Sequence, residues 1–304
     1  MISNPAADPL FWPTLGTVGA LLGISFVLLL AVERRHLGRL RERVLFQRWA
    51  VWAVIAPIYG LAVLSGPLPL LVLVGLLTWQ AIREYSRLVG LPPLYARVLV
   101  LLGLALLPLA LVSIDAFFYG LPLILIGATL QPLLTRDVQR GVRNLSLAVF
   151  GFTYLPLLLG HVILLYAHVP GGAGYLLVLG LATALSDIGA FTVGKLFGRH
   201  KLAPTVSPNK TWEGAVGNLL GAYAGAGLLS FAIPEEKRLV VRLLLPPVVA
   251  VGAVWGDLVE SLIKREFGTK DAGTWLPGFG GLLDRVDSLI VTTPLAYYLL
   301  RALA

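Results

Sequence analysis

The chain is a succession of apolar runs, each about the length that crosses a bilayer, and each ended by charge, proline or glycine. A spanning helix needs about 20 mostly apolar residues to match the hydrocarbon core. Hydrophobic runs of this kind predict ten spans, at 14–32, 48–64, 67–83, 97–113, 116–134, 145–167, 174–198, 214–233, 241–264 and 288–303. Composition agrees: 13% of residues are charged, against about 25% in soluble domains. The expected fold class is therefore an all-α polytopic membrane protein, a bundle of about ten transmembrane helices. Ten spans and their loops are expected to use up these 304 residues, with no separate soluble domain among them.

Charge sets the orientation. If the spans alternate, the loops 33–48, 83–97, 135–144, 194–213 and 264–287 share one side and hold 20 of the 24 Lys and Arg residues. The other side holds Lys237, Arg238, Arg242 and Arg301. The positive-inside rule makes the first side cytoplasmic and puts both termini outside, in the cell membrane with the polar loops facing the cytoplasm. The net charge of +8 then reports topology and anionic lipid rather than nucleic acid, for which no soluble basic module exists. Residues 1–10 lack a basic leader, so the first run is expected to be a retained span. There are no cysteines, which excludes a disulfide framework and thiolate chemistry.

Chemistry is uneven along the chain. Residues 1–180 are expected to be membrane scaffold, and 181–304 the catalytic region with the polar loops 194–213 and 264–287. In the first part, Glu84 and Tyr85 close the third span, where an interfacial Tyr is expected. His161 and His168 have no carboxylate near them in sequence and are expected at the interface, not on a metal.

Eight of the 16 acidic residues are Asp187, Glu213, Asp257, Glu260, Glu266, Asp271, Asp284 and Asp287. Asp187, Asp257 and Glu260 fall within or at the edge of apolar runs, where a carboxylate costs several kcal/mol unless paired, coordinated or facing water. Asp257, Glu260, Ser261 and Lys264 lie at i, i+3, i+4 and i+7, one face of a helix. Thr183, Ser186 and Asp187 form a second small polar face. Asp187 and Asp257 presented to each other would make an all-oxygen site suited to a hard cation such as Mg2+, whose shell is completed by water and substrate phosphate. Whether a second cation joins it stays open.

Lysine usage points to phosphate. The chain has 18 Arg and 6 Lys, yet Lys195, Lys201, Lys210, Lys264 and Lys270 all lie in the last two basic loops. Lys is the compact point charge among the cations. Ser207 to Gly214, with Lys210 and Thr211, is expected to be a turn leading into a helix N-terminus, where free N–H groups favour anions. It lacks the spacing of a Walker loop. Ser261 to Asp287 then places eight charged side chains in 27 residues, interleaved with Pro277, Gly278, Gly280 and Gly281. Asp284 and Asp287 open the last span at i, i+3, and one of them is an ordinary cap candidate.

At these residues the chain resembles the CDP-diacylglycerol synthase (phosphatidate cytidylyltransferase) family. Ser261, Lys264, Arg265, Lys270, Asp271, Gly273, Leu276, Pro277, Gly280, Gly281, Asp284, Arg285 and Asp287 match that family's signature in spacing, and the resemblance covers about residues 180–290. It implies a helical bundle, commonly dimeric, that joins CTP and phosphatidic acid into CDP-diacylglycerol and pyrophosphate with Mg2+. It implies Asp187 and Asp257 as metal ligands, and Lys210, Asp257, Lys264, Arg265, Lys270, Asp271, Asp284 and Asp287 as catalytic. Ser207, Lys210, Thr211, Ser261, Lys264, Gly280, Gly281 and Arg285 would contact the nucleotide. In one place the chain departs: the family pattern has a histidine where Phe279 stands, and Phe has no donor or titratable group.

Three other readings of the same residues remain at this point. They are a CTP-dependent polyprenol or phytol kinase, a non-catalytic lipid-binding paralogue, and a transporter, for which intramembrane acids are also typical.

Overall fold

The computed structural model describes residues 2–35, 37–136, 138–269, 272–273 and 280–304. Eleven α-helices account for most of them: α1 Phe11–Val32, α2 Val44–Leu64, α3 Pro67–Leu88, α4 Pro93–Val112, α5 Ile114–Thr135, α6 Gly141–Phe152, α7 Leu158–His168, α8 Gly172–Phe197, α9 Trp212–Leu228, α10 Arg238–Glu266 and α11 Leu283–Leu303. A π-turn at Thr153–Leu157 joins α6 and α7 into one rod. It contains Pro156, whose missing N–H cannot continue an α ladder.

Among the described residues, seven helical stretches are long and apolar enough to cross a membrane: α1, α2, α4, α5, the α6–α7 rod, α8, and α10 with the short turn before it. This makes the chain a multi-pass helical protein. Three of the ten expected crossings, α3, α9 and α11, fall outside this set. α9 has 17 residues, and α3 and α11 mix charged and polar side chains into their apolar faces. Large side chains such as Leu101, Ile126, Val216 and Leu239 stay exposed. Lipid tails are as apolar as these side chains, so no hydrophobic force drives them inward.

Local signals place the helix ends. α3 starts where Gly66 (φ 108°) precedes Pro67. It stops in a Schellman turn, with Gly90 at φ 66° and the Leu91 N–H donating to Ser86 O at 2.9 Å. Ser113 caps α5 by accepting the Ala116 N–H at 2.9 Å.

Packing around the site depends on missing side chains. Gly217, Gly221 and Gly225 lie one turn apart on α9. A Cβ there would sit 2.4 Å from Gly189 O, 2.1 Å from Leu185 O and 2.5 Å from Ala182 Cα, all on α8. On α10, a Cβ at Gly252 would lie 2.6 Å from Thr292 Cα, and one at Gly256 2.1 Å from Asp287 O. Small residues at four-residue spacing let membrane helices approach closely. Here they bring α8 against α9 and α10 against α11.

The expected turn before α9 is instead a strand. Ser207–Thr211 pairs antiparallel with Lys201–Ala203 in a two-stranded ribbon, so the fold is not wholly helical. Two other expectations are corrected. Tyr85 is fully buried and donates its hydroxyl to Leu147 O at 2.8 Å, and Glu84 is buried beside it. His161 is likewise buried, edge-on to Phe117, Phe118 and Tyr297.

Candidate active site

The acidic side chains gather at one end of a cavity of about 1370 Å3. Its other end is apolar, lined by Leu15, Val18 and Leu22 of α1, Val51 and Ile55 of α2, and Leu73 and Leu77 of α3. Its polar end receives Asp187 from α8, Lys210 from the ribbon, Asp257, Glu260 and Lys264 from α10, and Asp284, Arg285 and Asp287 from α11. Residues more than 200 positions apart thus share one chamber, and its two ends differ sharply in polarity.

α10 supplies a single face, as the helical spacing requires. Asp257 Oδ2 meets Lys210 Nζ at 2.8 Å, and Lys210 also donates to Val254 O at 3.2 Å. One turn on, Ser261 Oγ donates to Asp257 Oδ1 at 3.3 Å. Lys264 Nζ bridges two buried carboxylates, Glu260 Oε2 at 2.5 Å and Asp284 Oδ1 at 2.7 Å. Burying such charges is tolerable because each carboxylate is paired.

α11 brings the other carboxylates. Asp284 Oδ2 accepts the N–H groups of Gly281 at 2.8 Å and Ala272 at 3.2 Å, so this acid holds the backbone that precedes its helix as well as pairing with Lys264. Asp287 Oδ1 accepts the Ser288 N–H at 2.7 Å. The Ser288 hydroxyl donates to Asp187 Oδ1 at 3.3 Å, which links α8 to the group.

Asp257, Glu260 and Asp287 each offer a carboxylate oxygen, and these oxygens all lie within 4.8 Å of one another. The donor set fits a hard divalent cation, which is bound by oxygen alone. One observation supports the fit. Glu260 Oε1 is buried without a hydrogen-bond partner, although buried polar atoms are normally paired.

The structure thus gathers Asp187, Lys210, Asp257, Ser261, Lys264, Asp284, Arg285 and Asp287 as expected neighbours. Ser207 and Thr211 also line the cavity. The Thr211 hydroxyl is occupied in capping α9, accepting the Gly214 N–H at 3.1 Å. Arg265 points away, donating to Val206 O at 3.4 Å and Thr269 O at 3.5 Å. Gly281 is buried against Glu84 and Asp284, and Gly280 takes φ 86°. Lys270, Asp271 and Phe279 lie outside the described residues.

Three residues of the site were not among those expected. Glu260 lay on the correct helical face, but Asp187 and Asp257 alone were expected as ligands. Tyr154 sits on the π-turn and donates to Gly256 O at 3.3 Å, beside Asp257. Glu84 comes from the scaffold half and accepts the Leu283 N–H at 2.7 Å. No local pattern in the sequence distinguishes these last two from ordinary interfacial residues.

Outside the candidate spans, Glu213 ties the start of the ribbon to α9. It accepts from His200 Nδ1 at 2.6 Å and from the N–H groups of Arg199 at 3.1 Å and His200 at 3.2 Å. These donors, the imidazole foremost, hold its carboxyl down at about 2.

Comparison with known proteins agrees with this geometry. Residues 46–303 match the model of the cytidylyltransferase family. Relatives named phosphatidate cytidylyltransferase occur in Mycobacterium leprae (43% identical over 132 residues, 43% of this chain and 42% of that protein) and Staphylococcus haemolyticus (42% over 135 residues, 44% and 52%). Phosphatidate cytidylyltransferase 5, chloroplastic, of Arabidopsis thaliana is 44% identical over 135 residues, 44% of this chain and 34% of that protein. The matched stretch spans about half, or less, of each of these relatives. The family match covers most of the chain and every residue of the carboxylate–lysine chamber, and this chain belongs to the cytidylyltransferase family.

Proposed function

We propose that the chain is a CTP:phosphatidate cytidylyltransferase, working with Mg2+ at the cytoplasmic face of a cell membrane. The single observation that carries this reading is the two-ended cavity, whose apolar limb opens into a chamber of carboxylates and lysines. A substrate with acyl chains and a phosphate head has that same division. The names of the relatives supply the nucleotide. The loop charges support ten crossings with both termini outside and the chamber toward the cytoplasm, and the family resemblance supports a homodimer.

The reaction is a single in-line displacement. A phosphate oxygen of the lipid forms a bond to the α-phosphorus of CTP, the bond from that phosphorus to the bridging oxygen breaks, and pyrophosphate leaves with the bonding electrons. No covalent protein nucleophile is needed, so catalysis rests on positioning and charge. Lys210 and Lys264 hold ammonium groups at the polar end and lower the repulsion between the two anionic substrates. Asp257, Glu260 and Asp287, with Asp187 linked through Ser288, are the residues that would hold a divalent cation. Such a cation, when bound, neutralises phosphate charge and polarises the phosphoryl group. The apolar limb keeps the acyl chains out of water and delivers the head laterally.

The test is pyrophosphate release by purified protein given CTP, phosphatidic acid and Mg2+. Release that requires all three supports the reading. No pyrophosphate release from wild-type protein, or transfer of the γ-phosphate of CTP to a polyprenol with CDP as the product, overturns it.

A further inference from the structure

We infer that Glu84, near the end of α3 in the scaffold half, is a positioning residue for the active-site carboxylates, acting as a cap supplied to α11 by a distant part of the chain. The activity arm of this inference rests on the cytidylyl-transfer reading; the structural arm does not. α11 begins without a side-chain cap of its own, since its N-cap residue is Leu282. The first amides of any helix lack intrahelical partners. Here the amide of Leu283 donates to Glu84 Oε2 at 2.7 Å, across 199 positions of sequence. The other oxygen, Oε1, accepts from Gln80 Nε2 at 2.8 Å, which fixes the carboxylate plane.

Glu84 is 3% exposed. Among the described residues no cationic side chain pairs with it, so a helix N-terminus provides its electrostatic compensation. The chain folds around this carboxylate because two contacting positions carry no side chain. A Cβ at Gly281 would lie 2.6 Å from Oε2, and one at Gly273 3.1 Å from Oε1. The first turn of α11 then follows directly. Asp284 receives the Gly281 amide and the Lys264 ammonium, and Asp287 joins the carboxylate group one turn later. Glu84 does not line the cavity, and acts through the position of α11.

The test combines hydrogen exchange with kinetics on full-length protein in detergent. Glu84→Ala is expected to speed amide exchange over Leu283 to Ser288 at least tenfold, leaving α10 from Val254 to Glu260 unchanged. It should raise the Mg2+ concentration for half-maximal rate about 10–100-fold, the range typical when a partner of a ligating residue is lost. Glu84→Gln should fall between. Its amide oxygen can still accept from Leu283 if Gln80 flips, and excess Mg2+ should restore its rate, which a general loss of structure would not allow. If Glu84→Ala is not recovered folded, Glu84→Gln and Gly281→Ala carry the same comparison. Unchanged exchange over 283–288, or equal acceleration in α10 and α11, overturns the inference. Wild-type protein without turnover would remove the function assigned above, and the exchange result would still decide the cap.

Discussion

Lys264 is the residue whose removal tests the energetics of the chamber most directly. Its ammonium lies between Glu260 Oε2 and Asp284 Oδ1, and the two acid side chains are 1% and 6% exposed. Replacing it with Met preserves length and apolar bulk but leaves two buried carboxylates facing each other. Breaking a buried pair by removing one partner costs about 3–5 kcal/mol. Asp284 keeps its bonds from Gly281 and Ala272, so most of the cost falls on Glu260, whose Oε1 already lacks a partner. The expected loss is therefore near the lower figure, about 3 kcal/mol, or roughly a hundredfold in the unfolding equilibrium. The assay is equilibrium unfolding in mixed micelles for wild type, Lys264→Met, Glu260→Gln and the double variant. The two sites share one interaction, so the double variant should recover at least about 1 kcal/mol relative to the sum of the singles. A Lys264→Met cost below about 1 kcal/mol, or strict additivity, would refute the claim that the lysine compensates both acids.

Four further outcomes follow from the same geometry. Asp257→Asn and Asp287→Asn should each abolish pyrophosphate release and weaken Mg2+ binding measured by calorimetry, with the yield of folded protein kept. Val18→Trp, which fills the apolar limb beside α2, should raise the KM for phosphatidic acid several-fold and leave that for CTP unchanged. Gly221→Val should reduce the folded yield severely, since its Cβ would meet the Leu185 carbonyl at 2.1 Å. Glu213 gives a pH signature: its folded value of about 2 lies below the unfolded 4.5, so its contribution is complete above 4.5 and disappears as pH falls toward 2. Exchange of the Ser207 to Trp212 amides, corrected for intrinsic pH dependence, should accelerate over that window in wild type but not in Glu213→Gln.

Much of the site was legible because helices are periodic and bilayers have a fixed thickness. The placing of Asp257, Glu260, Ser261 and Lys264 on one face needed nothing beyond 3.6 residues per turn. Asp187 and Asp257 stood out because isolated charge is costly in apolar runs. The ribbon at Lys201–Thr211 was missed because Pro208 and Asn209 look like turn residues, and strands of three and five residues are too short to show a period. Tyr85 and His161 were expected at the interface from their chemistry, yet their burial depends on which neighbouring helices cover them.

The amino-acid sequence alone determined the solvent this protein folds in, its helical character and the polar face of α10, since each follows from local composition and period. The tertiary structure decided which acids meet. Glycine contacts at Gly217, Gly221 and Gly225 set how closely α8 approaches α9, and Gly252 and Gly256 do the same for α10 and α11. That approach brings Glu260 and Asp287 together with Asp257, while Gly273 and Gly281 leave room for Glu84 to cap a helix 199 positions away. Such pairings depend on backbone distances between separate helices, and no residue spacing along one chain encodes them.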